Sequence, residues 1–279
     1  MVMPIFIPSM DRAGALFGKI STLSYIKNVP NEIHLVVPPD QAVRYRNTLF
    51  NHSRQDVGVF ECPEKGIAKT RHWIGRLCEK RKIEKFVMMD DDLNFAVRID
   101  TNGNSLRPQR HEDTLEMLRW TEDALTDYAH AAVSPRDAAK TETVAQGQKP
   151  LTLLNKRTLR YLAYRTKEFL AMEHGRVEVM EDFDVNLQLI SHGFWNIQSY
   201  WWTTDQRQTG SPGGCASYRS HEVQDKSARK LAELHAPFVK LRIKENKGAV
   251  VKGAEEFRKR TEVTIYWEKC ATAAGWMKT

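Results

Sequence analysis

The sequence predicts a single Rossmann-like α/β domain over residues 1–279, on three observations: short apolar runs ending at turn residues, helical spacing between them, and regular alternation of the two. The first run, Met3 to Pro8, stops at Pro8-Ser9, and the second, Glu32 to Val37, stops at Pro38-Pro39; both read as buried strands. Between them Ala13 to Tyr25 carries Leu16, Ile20 and Leu23 at helical spacing, and Asp40 to Phe50 repeats that pattern. A third strand follows at Val57 to Phe60, then a helix at Gly66 to Lys80. A fourth strand, Lys85 to Met89, runs straight into Asp90-Asp91-Asp92.

Beyond the acids, Phe95 to Gln109 reads as a polar hairpin turning at Asn102-Gly103, and a helix is expected from about His111 to Ala129. Arg136 to Lys149 reads as a mobile loop and Pro150 to Asn155 as a strand. Glu181 to Ile190 is a helix with acids in its first turn, where the helix dipole favours them, ended by His192-Gly193. Phe194 to Trp202 is a strand. Thr203 to Ser220, rich in Gly, Ser and Thr, is long for a mere connection and reads as a flexible lid. A helix from about Ser220 to Leu234 and a strand at Val263 to Trp267 close the chain.

Composition narrows the class. A hydrophobic fraction of 41% suits a globular protein, and no run approaches the ~20 apolar residues of a membrane helix. The start, MVMPIFIPSMDR, lacks the features of a signal peptide, so a cytoplasmic protein without membrane partners is expected. Cys62, Cys78, Cys215 and Cys270 are scattered, which fits reduced thiols rather than a zinc site. The net charge of +7 draws the protein towards polyanions, although the basic stretches Arg71 to Lys85, Lys156 to Lys167 and Lys226 to Arg260 are interleaved with acids, as on solvated helix faces.

The chemistry is expected at the acids. Three aspartates in a row repel one another unless a cation or basic partner neutralises them, and carboxyl ends of strands are where open α/β sheets bind ligands. In an extended backbone Asp90 and Asp92 share one side and Asp91 takes the other, so the outer pair is expected to hold a metal and Asp91 to contact the donor. Carboxylate oxygens without cysteine partners favour Mg²⁺ or Mn²⁺. The plain alternative is an acidic turn that caps the next segment.

VMMDDDL resembles the DxD motif of GT-A glycosyltransferases, a fold with a mixed central sheet. Three further elements follow that fold's order. IFIPSMDR resembles its first strand and nucleotide loop, which places Ser9 and Arg12 at the nucleotide. KGIAKTRHWIG is similar to a helix start in family 2 enzymes, which assigns Gly66, Ala68 and Arg71 to the nucleotide. MEDFDVNLQLISHG resembles the later ED element, which implies Asp182 as catalytic base, with Glu181 and Asp184 as rivals. Residues 1–100 are then the nucleotide-binding half and 101–279 the acceptor half. For each residue a structural role, as turn, helix charge or N-terminal helix acid, competes with the functional one.

The stretch RQTGSPGGCASYRSHEVQDKSARKLAELHAPFVK, residues 207–240, resembles the TET-associated glycosyltransferases, phage enzymes that glycosylate 5-hydroxymethylpyrimidines in DNA. The resemblance implies transfer from a UDP-sugar to 5-hydroxymethylcytosine with inversion, and a late histidine, His235 or His221, completing the metal shell. Such an acceptor must be flipped out or single-stranded. Arg207, Arg219 and Lys226 are then candidates for phosphates, and Trp195, Trp201, Trp202 or Tyr218 for stacking on the base, though strand aromatics commonly belong to a core. Competing readings are a glycosyltransferase acting on a saccharide or protein, a nucleotidyltransferase, and a non-catalytic nucleic-acid-binding module.

Overall fold

The structure, a computed structural model, describes residues 2–99, 105–138, 152–206, 220–245 and 259–277. The expected turn at Asn102-Gly103, residues 139–149 of the expected loop, and residues 207–219 of the expected lid lie outside these.

The chain builds a large mixed sheet flanked by helices. Strands β1 (Ile5–Pro8), β2 (Ile33–Val37), β3 (Val57–Glu61) and β4 (Lys85–Met89) are parallel, in the order β3-β2-β1-β4. Parallel neighbours need crossovers. Between β1 and β2 lies α1 (Thr22–Tyr25), between β2 and β3 α2 (Ala42–Asn51), and between β3 and β4 α3 (Ile67–Lys80). The second half continues the sheet with β5 (Leu93–Arg98), β6 (Leu106–Pro108), β7 (His130–Pro135), β8 (Thr152–Leu154), β9 (Tyr161–Arg165) and β10 (Asn196–Gln206). Beyond β4 the order is β9-β7-β10-β5-β6, with β8 also paired to β10, and every pairing there except β7 with β10 is antiparallel.

Strand alternation sends side chains to two cores. Ile5, Ile7, Leu35, Val37, Val87 and Met89 face one, beneath Leu23, Tyr45 and Met117; the last belongs to α4 (His111–Asp127). Phe6, Val36, Phe86 and Met88 face the other, against Ile74 and Cys78 of α3, Phe169 of α5 (Thr166–Leu170) and Val185 and Leu189 of α6 (Glu181–Ser191). With both faces covered, these strands read as near-continuous apolar runs. Gly75 lets α3 approach α5 closely, since a Cβ there would lie 2.6 Å from the Phe169 ring.

Past α7 (His221–Leu234), β11 (Val239–Glu245) and β12 (Lys259–Ile265) form a separate antiparallel ribbon, followed by α8 (Trp267–Ala273). A third core ties this unit to α6 through Leu187, Ile190, Ala228, Leu231, Val239 and Val263.

Several expectations need correction. The helix over Ala13 to Tyr25 is only a 3-10 turn at Ala13–Ala15 and the single turn α1, because Thr22 is pulled to the acid turn: its hydroxyl donates to the Asp90 carbonyl at 2.5 Å. Thr203 to Gln206 extend β10 rather than opening a lid, held by pairing with Leu93 to Ala96. Trp267 begins a helix rather than ending a strand. Strands β7, β9 and β11 were not expected from the sequence. No helix among the described residues is long and apolar enough to cross a membrane.

Candidate active site

Parallel pairing of β1 with β4 puts their carboxyl ends side by side, so Ser9 and Asp90 begin adjacent loops at one sheet edge. Asp91 and Asp92 lie in a turn before β5, not on an extended segment, so the expected alternation does not apply. Both instead face Arg12, whose Nη1 lies 2.7 Å from Asp91 Oδ1 and 2.6 Å from Asp92 Oδ2, while Asp90 points to Arg71. Asp91 also accepts the Ser9 hydroxyl, which shares a 2.8 Å hydrogen bond with the Tyr45 hydroxyl. Tyr45 in turn accepts the Arg12 backbone N–H at 3.1 Å. No reading of the sequence singles out Tyr45, yet its hydroxyl is what fixes the loop after β1.

The second half of the site arrives on α3 and α6. Arg71 donates from Nη2 to Asp90 Oδ1 at 2.9 Å and from Nη1 to Glu181 Oε1 at 2.5 Å. One guanidinium thus joins acids that stand ninety-one positions apart in the chain. The helix start that carries Arg71 depends on Gly66, whose φ of +90° at the N-cap favours glycine. Ala68, one turn before Arg71 on the same face, lines a narrow pocket with Arg71, Tyr164, His174, Glu181 and Asp182. Of the residues assigned to the nucleotide, Ser9, Arg12 and Asp91 therefore cluster at the turn, and Ala68 and Arg71 at this pocket; a Cβ on Gly66 would touch nothing within 4 Å.

Electrostatics separates the acids. Burial raises the Asp90 carboxyl to about 6, Arg71 opposing and the charges of Asp92, Asp91 and Glu181 reinforcing the shift. Burial and then the Glu181 charge raise Asp182 to about 7, against Arg71 and the Phe183 N–H that Asp182 accepts. Burial also pushes Asp91 up, opposed by Arg12 and Ser9. Burial would lower both arginines, but the carboxylates outweigh it and hold Arg12 and Arg71 above the ordinary value. Five carboxylates (Asp90, Asp91, Asp92, Glu181 and Asp182) surround two guanidiniums, which leaves the cluster short of positive charge.

Among the described residues no three acidic, histidine or cysteine side chains are grouped as a ready-made metal cage. Mg²⁺ and its like are commonly held by one or two carboxylates together with substrate phosphates, so a hard-oxygen cluster with excess negative charge fits such an ion without a cage. Asp90, with a side chain 28% exposed, is the most open of the three acids in the turn.

His235 is not at the turn. It is buried, with Nε2 2.7 Å from Asp184 Oδ1, and Arg176 donates from Nε to the same carboxylate at 3.0 Å. Burial alone would raise Asp184, but His235 and Arg176 hold it below its ordinary value. Asp184 therefore fastens α6 to the C-cap of α7. His221 sits elsewhere, its Nε2 3.0 Å from the Lys259 carbonyl. Removing the shared acid should leave His235 buried without its partner and the half-buried Arg176 with only Glu173 at 3.9 Å, so Asp184→Ala should lower stability by about 3 kcal/mol, read from chemical denaturation. Of the expected stacking residues, Trp202 is buried in the first core and Trp201 and Trp195 pack against cores, leaving their rings as packing elements. Tyr218, Arg207 and Arg219 lie outside the described residues, and Lys226 is exposed on α7.

No curated protein matches the sequence. Among solved structures, the chain is similar to S. aureus TarS 1-349 in complex with UDP, at 15% identity and a TM-score of 0.47, over 82% of this chain and 65% of that one. It thus spans just under two thirds of that structure. It is also similar to 4-diphosphocytidyl-2C-methyl-D-erythritol synthase from Anaerococcus prevotii DSM 20548, at 11% identity and a TM-score of 0.42, over 83% and 95% of the two chains. Residues 3–214 match the model of the TET-Associated Glycosyltransferase family. That range contains the acid turn, Arg71 and the Glu181-Asp182 helix start, and by this match the chain belongs to the TET-associated glycosyltransferases.

Proposed function

We propose that this chain transfers a sugar from a UDP-sugar to the hydroxymethyl group of 5-hydroxymethylcytosine in DNA, inverting the anomeric carbon, with Mn²⁺ or Mg²⁺ as cofactor. The observation that carries the proposal is the Arg71 bridge, which draws the acid at the end of β4 and the acids at the start of α6 into one negatively charged cluster. Asp90 and Asp92 would hold the divalent cation. When bound, it supplies positive charge to the diphosphate as the bond to the sugar breaks.

The acids of α6 divide by environment. Glu181 is tied to Arg71 and Asp184 to Arg176 and His235. Asp182, raised to about 7, is poised to take the proton of the acceptor hydroxyl as its oxygen attacks the anomeric carbon, since a general base works best near the operating pH. Arg71 keeps Glu181 engaged and so leaves Asp182 to that task. Ser9, Arg12 and Asp91 are assigned to the nucleotide, with Gly66 and Ala68 shaping its approach to α3.

Mass spectrometry of hydroxymethylcytosine-containing oligonucleotides, incubated with a panel of nucleotide sugars and Mn²⁺, tests this directly. One hexose or pentose increment per hydroxymethylcytosine is expected, on no unmodified cytosine. Labelling of a saccharide or protein while the oligonucleotide stays unchanged would move the acceptor assignment to that class. NMR of the product distinguishes inversion from retention, and retention would remove Asp182 from the base role.

A further inference from the structure

The ribbon of β11 and β12 lies beyond residue 214, so the family match does not account for it. Its two faces differ. On one, Val239 and Val263 pack into the core beneath α7. On the other, Lys240, Arg242 and Lys244 stand in a row, cross-strand from Thr264, Glu262 and Arg260. The row continues past the strand ends: the ammoniums of Lys240 and Lys269 lie 5.7 and 4.8 Å from the centroid of the Tyr266 ring. Lys259, exposed at the far end, lies cross-strand from Glu245 and so on the other face.

Charge on this element is one-sided. Among the described residues the row of Lys240, Arg242 and Lys244 faces one acid, Glu262, which serves both Arg242 at 3.5 Å and the largely buried Arg260 at 2.5 Å. The neighbouring Glu268 is turned away to Lys156. On α7, Arg229 and Lys230 are matched within the helix, by Asp225 and Glu233. Two exposed apolar side chains, Leu241 at 42% and Ile243 at 61%, complete an element that is not fully buried by its own chain.

We infer that the β11–β12 ribbon is a docking surface for duplex DNA, which its Lys240-Arg242-Lys244 face grips through the phosphates. Same-face residues of a strand recur every ~6.8 Å, so the three cations span roughly 14 Å, over which each DNA strand presents a phosphate every ~3.4 Å. A two-stranded ribbon is also narrow enough for the major groove. Because His235 and Asp184 fasten α7 to α6, DNA on the ribbon is held by the unit that positions the Asp182 helix. This inference rests on the DNA-acceptor reading and names where the duplex is held while a base is presented.

The test compares the full-length chain with the Lys240→Ala/Arg242→Ala/Lys244→Ala variant, using fluorescence anisotropy with a short unmodified duplex between ~50 and ~200 mM salt. The variant should bind at least ~10-fold more weakly at the lower salt, with its log–log salt slope reduced by about 2–3, as each lost phosphate contact removes about 0.9. A control, Lys27→Ala/Arg46→Ala/Lys80→Ala, removes equal charge from exposed positions elsewhere and should keep the wild-type slope. Equal loss in the control would reduce the effect to net charge and overturn the inference, as would a ribbon variant that binds like wild type. So would ribbon-dependent binding to anionic vesicles with no ribbon-dependent binding to duplex. Circular dichroism checks folding, and Lys240→Gln/Lys244→Gln, a milder change, should show a smaller loss in the same direction. Glycosylation of hydroxymethylated DNA by the wild type keeps the questions apart: modification with an unaltered ribbon variant sinks the ribbon alone, while no modification by any donor sinks the acceptor reading.

Discussion

Asp182→Asn should reduce kcat by about 10²–10⁴-fold, the range a positioned general base contributes, with little change in KM for the nucleotide sugar. Steady-state transfer to a hydroxymethylated oligonucleotide measures it. In the wild type the free-enzyme rate should rise with pH through about 7, because the base must be ionised and burial beside Glu181 has raised it there from 3.8. Stability runs the other way. Between 3.8 and about 7 the folded protein keeps a proton that the unfolded chain has released, so this carboxyl makes the protein less stable as pH rises across that window. Asn holds no charge to desolvate, so the variant should melt no lower than wild type at pH 8 while having lost its turnover. A variant that melts lower and retains most of kcat would make Asp182 a structural acid and pass the base role to Glu181.

The parallel half of the fold is legible because its strands are buried on both faces and short: Met3 to Pro8 and Phe86 to Met89 leave no polar position to blur the reading. The antiparallel half is not. β9, Tyr-Leu-Ala-Tyr-Arg, is fully apolar up to its last residue, but it is framed by Arg157, Arg160 and Lys167, and its insertion between β4 and β7 is a long-range pairing that no local pattern encodes. β7, His-Ala-Ala-Val-Ser-Pro, consists of small residues with no period of their own. Its His130 is satisfied by the Ala163 carbonyl at 2.8 Å and Thr158 at 2.9 Å, and burial lowers it to about 4, a neutral core histidine.

At the site, the identity of the acids is readable and their geometry is not. Alternation assigns Asp90 and Asp92 to one side only while the chain stays extended, and here it turns at Asp91. That Arg71 would meet both Asp90 and Glu181 follows from the stacking of α3 and α6 over the sheet, which spacing does not reveal. His235 is a late-ligand candidate only through the family resemblance, and its partner Asp184 lies fifty-one positions earlier, across a fold contact. The family resemblance is written in residues 207–240, whereas the family match covers 3–214, so the two share only a short overlap.

Asp90→Asn should remove the response to divalent cation. In the wild type, Mn²⁺ should tighten UDP binding in calorimetry, and chelation should abolish transfer. In the variant, UDP affinity should be the same with and without Mn²⁺, and kcat should fall by about 10²–10³-fold, the scale of losing one main electrostatic stabiliser. The fold should survive: Arg71 keeps Glu181 as its partner, and the burial cost that, with the neighbouring acids, pushes Asp90 up to about 6 is relieved when it is neutral. The same holds for Asp92→Asn, because Arg12 keeps Asp91 at 2.7 Å. Each arginine is thus paired twice, so either acid can be neutralised without stranding a buried cation. Loss of the Mn²⁺ response then reads as loss of an ion site rather than of structure. If both variants still bind UDP more tightly with Mn²⁺, the cation sits elsewhere and Arg12 and Arg71 are the permanent counter-charges of the turn.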